Sequence, residues 1–125
     1  MMKNIEGIGS DIIEVKRIKQ AIQRQKKAFI EKIFTKQEIT YANKFKNSSI
    51  PYAGRFAAKE AIVKALGVGF NAKISWLDIS ISNDDIGKPI VTFSERVNKI
   101  FNHPKILLSI SHCHEYAMAV AILVR

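Results

Sequence analysis

The sequence predicts an α+β chain in which a central core helix packs against an antiparallel β-sheet. Three observations lead there. The segment Arg55 to Leu66 carries Phe56, Ile62, Val63 and Leu66 on one side of a helical wheel and Ala57, Ala58, Ala61 and Ala65 over most of the other, so it has no ordinary solvent face. After an opening strand, the apolar period is helical through the rest of the first half of the chain. From Leu77 onward it changes to alternation, with Leu77, Ile79 and Ile81 set against Asp78, Ser80 and Ser82. Helices mostly first and an antiparallel sheet later describe an α+β chain. With 125 residues, the chain is expected to form one domain over 1–125, large enough to bury a core.

Taken in order, Asn4 to Ile13 reads as a strand ending near Asp11, with Gly7 and Gly9 inside it. Glycine weakens a strand, so the pair marks either a bulge, the plainer reading, or a close approach by another backbone or a ligand. A helix follows, with Val15, Ile18 and Ile22 inward and Arg17, Gln20, Arg24 and Lys27 forming an outward stripe over almost three turns. Residues 14–36 hold eight Lys or Arg against two acids, Glu14 and Glu31. Phe29, Ile30, Ile33 and Phe34 make a second apolar segment, and Thr35-Lys-Gln-Glu38 has the capping-box pattern that starts another helix. Lys46 to Pro51 reads as a polar loop before the core helix, which Gly67-Val-Gly69 ends.

In the second half, Asn83 to Gly87 forms a turn between strands, the second being Lys88 to Phe93. Ser94 caps a short helix with Val97, Ile100 and Phe101 inward, stopped at Asn102-His-Pro104. Ile106 to His112 and Tyr116 to Val124 are two further strands.

Bulk properties narrow the function. The net charge of +9 favours an anionic partner: nucleic acid, a phosphorylated small molecule, an acidic protein or a membrane surface. No apolar run is long enough to span a membrane, and Met1-Met2-Lys3-Asn4 leads into the first strand without a signal-peptide h-region. A single cysteine, Cys113, excludes a disulfide within the chain and fits the cytoplasm. Nucleic-acid binding is disfavoured, because no aromatic residue interleaves with the cations of the stripe. His112 and His114 would share one side of an extended strand with Cys113 opposite, a poor zinc site. Ser109, Ser111 and His112 lack a nucleophile elbow.

The core helix poses the sharpest question. Glu60 lies between Phe56 and Val63 on the wheel, with Lys64 one turn further on. A charge there is costly unless paired or bound to a metal. One reading is an i,i+4 ion pair with Gly67 as an ordinary C-cap. The other is a metal-binding carboxylate and a phosphate-binding amine on one line. Asp11 is a second carboxylate in an apolar setting, and magnesium takes one or two carboxylates while substrate phosphates and water complete its shell. Arg55, Lys88 and His112 could add phosphate donors from other elements.

Gly7-Ile-Gly-Ser-Asp11-Ile-Ile-Glu-Val-Lys-Arg17-Ile18 resembles the opening motif of the holo-[acyl-carrier-protein] synthases, and Arg55-Phe-Ala-Ala-Lys-Glu60-Ala-Ile-Val-Lys64-Ala-Leu-Gly67-Val-Gly69 resembles their second motif. Trp76-Leu-Asp-Ile, Asp84 to Pro89 and Ser109-Ile-Ser-His112 followed by Glu115-Tyr-Ala fit the later part of that family. The resemblance implies the 4′-phosphopantetheinyl transferase fold and transfer of 4′-phosphopantetheine from coenzyme A to a serine of apo acyl carrier protein. It implies Asp11 and Glu60 as magnesium ligands, with Glu60 and Lys64 as catalytic residues, Lys64 on the pyrophosphate. Arg55, Lys64, Gly67, Gly69, Lys88, Pro89 and His112 are implied to hold the coenzyme. The basic helix with Arg17, Gln20, Arg24 and Lys27 is implied to bind the carrier protein, although Arg24 to Phe29 carries one residue more than the family pattern. A homotrimer with active sites at subunit interfaces is expected. The general base stays open between a magnesium-bound water, Glu60 and a carboxylate of the partner.

Overall fold

The computed structural model describes residues 4–125, so Met1 to Lys3, read as free of an h-region, lie outside the described residues. Along the chain come β1 (Ile5–Glu14), α1 (Val15–Gln25), α2 (Lys27–Ile33), α3 (Lys36–Ala42) and α4 (Ser49–Ala65). A 3-10 turn at Trp76–Asp78 leads into β2 (Ile79–Asn83), β3 (Pro89–Phe93), α5 (Glu95–Ile100), β4 (Lys105–His112) and β5 (Tyr116–Val124). The expected single sheet is in fact two: an antiparallel β1-β5-β4 sheet and a separate β2-β3 hairpin.

Helix α4 lies across β1 and β5, and small residues let it come close. A Cβ on Gly7 would stand 1.9 Å from the Ala65 carbonyl oxygen, and one on Gly9 would stand 2.0 Å from that of Ala61. The ladder does shift register between Ile5 and Gly7, yet close approach, not the bulge alone, is what requires the two glycines. The helix ends in a Schellman motif. Gly67 takes φ +78°, its N–H donates to the Lys64 carbonyl, and the Val68 N–H donates to that of Val63.

Two apolar clusters meet on α4. Ala57, Ala61, Ile62 and Ala65 pack with Ile79, Ile81, Val97, Leu108 and Ala119 on one side. Tyr52 and Ala53 pack with Val15, Ile18, Phe29, Ile33 and Phe34 on the other. Full burial of Val15 and Ile18 contributes about 1.5–3 kcal/mol each, which seats α1 and aims its opposite face at solvent.

Several boundaries differ from the sequence expectation. β1 runs past Asp11 to Glu14, because pairing with β5 continues as far as Tyr116. α1 stops at Gln25 and Lys26 adopts φ 52°, within the stretch that exceeds the family pattern. The stripe is therefore cut: Arg17, Gln20 and Arg24 are exposed on α1, whereas Lys27 begins α2. α4 starts at Ser49, six residues before Arg55, and absorbs part of the expected loop. Pro51 is tolerated because a first-turn N–H needs no helical acceptor. Leu77 sits exposed in the 3-10 turn instead of opening a strand, and Ile100 is exposed while Val97 alone in α5 is fully buried. His112 ends β4, so Cys113 and His114 lie in the turn before β5 and do not continue the alternation. The Thr35 capping box and the Ser94 cap form as expected.

Candidate active site

Strand β1 turns Asp11 toward α4, and the closeness enforced by Gly7 and Gly9 brings Lys64 within reach. Lys64 Nζ donates to the Ser10 carbonyl at 2.8 Å and lies 3.3 Å from Asp11 Oδ1. Glu60 is one turn back on the same face and half-buried. Burial chiefly, and then the Asp11 charge, raise its carboxyl above the ordinary glutamate value, with Lys64 opposing. Asp11, Glu14, Arg17, Phe56, Glu60 and Tyr116 border a cleft of about 510 Å³ between β1, α1 and α4. Arg17 leans from α1 toward Glu14 at 3.4 Å, an exposed and weak pair. Asp11, Glu60, Lys64 and Arg17 are thus brought together. Lys64 pairs with Asp11, not with Glu60 as the simple i,i+4 reading would have it. Two neighbouring carboxylates suit a divalent cation, whose charge would offset the burial and the Asp11 repulsion that together raise the Glu60 carboxyl.

Arg55 lies elsewhere. At 100° per residue it stands roughly 140° around α4 from Glu60 and about 180° from Lys64. Its side chain is buried, with the guanidinium 4.2 Å over the Tyr41 ring and Nη2 donating to Asn83 Oδ1. Nε, also buried, finds no partner among the described residues. Burial works against its positive charge, while Tyr41 and Glu38 favour it. Two hollows meet at this residue. One of about 560 Å³ is bordered by Lys36, Tyr41, Lys44 and Asn83, and the other, about 340 Å³, by Lys46, Gly54 and His112. Asn83 also donates to the Gly87 carbonyl at 2.9 Å, so it ties Arg55 to the turn that carries Lys88 and Pro89. The Lys88 side chain is exposed at that turn, and its N–H donates to Asp84 Oδ1 at 2.8 Å. Gly67 and Gly69 lie past the end of α4, beyond Lys64, and border neither hollow at Arg55.

Asp11, Glu60, Lys64 and Arg17 therefore form one group and Arg55 and His112, with Lys88 and Pro89 tied to them through Asn83, another on the far side of α4, while Gly67 and Gly69 belong to neither. Sequence reasoning missed Tyr41 and Asn83, which hold Arg55, and the buried pair Glu38–Lys59. Glu38 registers in the sequence only as half of a capping box. Lys59 could have been found, because it falls among Ala57, Ala58, Ile62 and Val63 on a helix with no solvent face.

Residues 7–121 match the family model described as the 4′-phosphopantetheinyl transferase superfamily. The chain belongs to this superfamily. Among curated members, the holo-[acyl-carrier-protein] synthase of Protochlamydia amoebophila is 52% identical over 116 residues, covering 93% of this chain and 95% of the relative. Among solved members, the Bacillus anthracis holo-(acyl-carrier-protein) synthase in complex with CoA (3′,5′-ADP) superposes with a TM-score of 0.82 at 42% identity, covering 96% of each chain. The Helicobacter pylori holo-[acyl-carrier-protein] synthase in complex with coenzyme A gives 0.85 at 39% identity, over 93% of this chain and 98% of that one. This superfamily member has, among its described residues, no helix long and apolar enough to cross a membrane.

Proposed function

We infer that the chain is a holo-[acyl-carrier-protein] synthase. It transfers 4′-phosphopantetheine from coenzyme A to a serine of apo acyl carrier protein and releases adenosine 3′,5′-bisphosphate. The observation that carries this is 52% identity to a synthase of the same extent, with both chains covered almost end to end.

In the reaction, the serine oxygen of the carrier protein bonds to the phosphorus bearing the pantetheine arm. The bond from that phosphorus to the bridging oxygen breaks, the electron pair leaves with the nucleotide phosphate, and the serine gives up its proton. Charge gathers on the leaving phosphate, so preorganised cations lower the barrier. We assign Lys64 to the pyrophosphate, since its compact ammonium is already held at the cleft by Ser10 and Asp11. Asp11 and Glu60 would hold magnesium, which would neutralise phosphate charge there. Arg55 and His112 would bind the nucleotide end of the coenzyme, with Lys88 and Pro89 on the turn that Asn83 ties to Arg55. Gly67 and Gly69, past the end of α4, would reach the coenzyme from the Lys64 end of the helix. Arg17, Gln20 and Arg24 would receive the acidic carrier protein, and Arg17 borders the cleft where the serine must arrive. Coenzyme chemistry and a free Cys113 fit a cytoplasmic enzyme.

One chain alone places its two groups of site residues apart, so we propose that a neighbouring copy completes the site within a homotrimer. The sheet face turned away from α4 supports this. Ile8 (68% exposed), Ile12 (65%), Leu107 (45%) and Met118 (40%) make it apolar and open. Ile12→Asp should yield a monomer by light scattering and abolish turnover, whereas a fully active monomer would refute a shared site. The function itself is tested by mass spectrometry of an apo carrier protein incubated with coenzyme A and magnesium. A gain of one phosphopantetheine is expected, and an unmodified carrier would overturn the reading.

A further inference from the structure

Glu38 and Lys59 are both 0% exposed and form a salt bridge of 2.7 Å. Each is fully satisfied. Lys59 Nζ spends its three protons on Glu38 Oε1, the Ile33 carbonyl at 2.8 Å and the Trp76 carbonyl at 3.1 Å. Glu38 Oε1 also accepts from the Thr35 N–H, and Oε2 accepts from the Ile81 N–H at 2.7 Å. The pair therefore joins the end of α2, the start of α3, α4, the 3-10 turn and β2.

Its place relative to Arg55 is the informative part. The Arg55 clamp uses Tyr41 from α3, Arg55 from α4 and Asn83 from β2. The buried node uses Glu38, Lys59 and the Ile81 N–H, from the same three elements. On α3 and α4 the members lie one helical turn apart, and on β2 they belong to residues two apart, the Ile81 N–H and the Asn83 side chain. The buried contact is thus the clamp repeated one step deeper. It fixes the rotation of α3 and α4 against β2, and that rotation decides whether the Tyr41 ring and the Asn83 carbonyl oxygen meet the guanidinium.

We propose that Glu38 and Lys59 are positioning residues for Arg55, and through it for coenzyme A. The inference rests on the assignment of Arg55 to the coenzyme. A buried ion pair is weak evidence of stabilisation, since matched apolar replacements often do as well. Geometric specificity is the better account of a node whose every donor is spoken for.

The test compares Glu38→Gln, Lys59→Met and the double variant in steady-state transfer assays, alone and in an Arg55→Ala background. Either single variant leaves a buried charge unmatched and can lose stability. The double variant removes both charges and keeps the side-chain volumes, so it carries the test if the singles fail to fold. The expected result is a KM for coenzyme A raised about tenfold, with kcat and the KM for carrier protein close to wild type. In the Arg55→Ala background the same substitutions should add no further change, because the residue through which they act is gone. A folded double variant with wild-type KM for coenzyme A, or an effect that persists undiminished without Arg55, overturns the proposal. If Arg55→Ala itself leaves the KM for coenzyme A unchanged, the coenzyme assignment of Arg55 fails and the inference falls with it. If Arg55→Ala raises that KM and the node variants do not, only the positioning role fails.

Discussion

Substituting Gly9 by alanine tests how the fold builds the catalytic face. The new Cβ would lie 2.0 Å from the Ala61 carbonyl oxygen, 2.7 Å from the Ala65 nitrogen and 2.8 Å from Lys64 Cβ. All three are backbone or helix-proximal atoms, so no flexible side chain can swing aside. To restore ordinary contact, α4 must back away from β1 by about 1.4 Å, or β1 must bend by as much. Overpacking of this kind costs about 1–3 kcal/mol, and each kcal/mol lowers Tm by roughly 4 °C in a domain of this size. Turnover should suffer more than stability. Asp11 is carried on β1 two residues from Gly9, while Glu60 and Lys64 ride on α4, so the same displacement separates them. A misplacement of about 1 Å costs on the order of 100-fold in rate. The assay is steady-state transfer at saturating coenzyme A and carrier protein, alongside thermal unfolding of the same preparation. Gly69→Ala is the stability control, because its Cβ would meet nothing within 4 Å. A Gly9→Ala protein that melts and turns over as wild type would refute the argument from close approach.

Three further outcomes are expected. Glu60→Gln should abolish magnesium-dependent transfer while raising metal-free stability modestly at neutral pH, the effect being reduced because the carboxyl is only half-buried. The sign follows from the raised carboxyl: its favourable contribution is full below the unfolded glutamate value of about 4.3 and is lost as pH rises through the folded one. The advantage of Gln should therefore vanish on acidification, which thermal unfolding against pH would read out. Lys64→Ala should lower kcat and kcat/KM together, and Lys64→Arg should restore only part of the loss, because a planar fork does not replace a point charge. Loss of thermal stability with intact kinetics would return Lys64 to a structural pair with Asp11. Arg17→Glu or Arg24→Glu should raise the KM for carrier protein and leave that for coenzyme A unchanged, with added salt reproducing the effect in the wild type. Lys27→Glu should do less, since the turn at Lys26 removes it from the α1 face.

Much of this molecule was legible in local patterns. The capping box at Thr35, the Ser94 cap, the αL glycine after α4 and the apolar runs of the last two strands each depend on residues within a few positions of one another. They appear where the sequence places them. Motifs of this reach also marked Asp11, Glu60 and Lys64, because a charge on an apolar face stands out without any knowledge of its partner. Tertiary structure decided what those charges meet. Lys64 chose Asp11, 53 residues away, over Glu60 on its own helix. Gly7 and Gly9 proved to be contact points for α4, and Lys59 found Glu38 across 21 residues. It also decided what Arg55 and Glu60, five residues apart in one motif, come to face: Tyr41 and Asn83 around the first, and the cleft with Asp11 beside the second. Periodicity reports which face of an element is apolar, through forces that act within a turn or two. Which element covers that face is set by the packing of the whole chain, where a single backbone approach or a buried ion pair fixes the register.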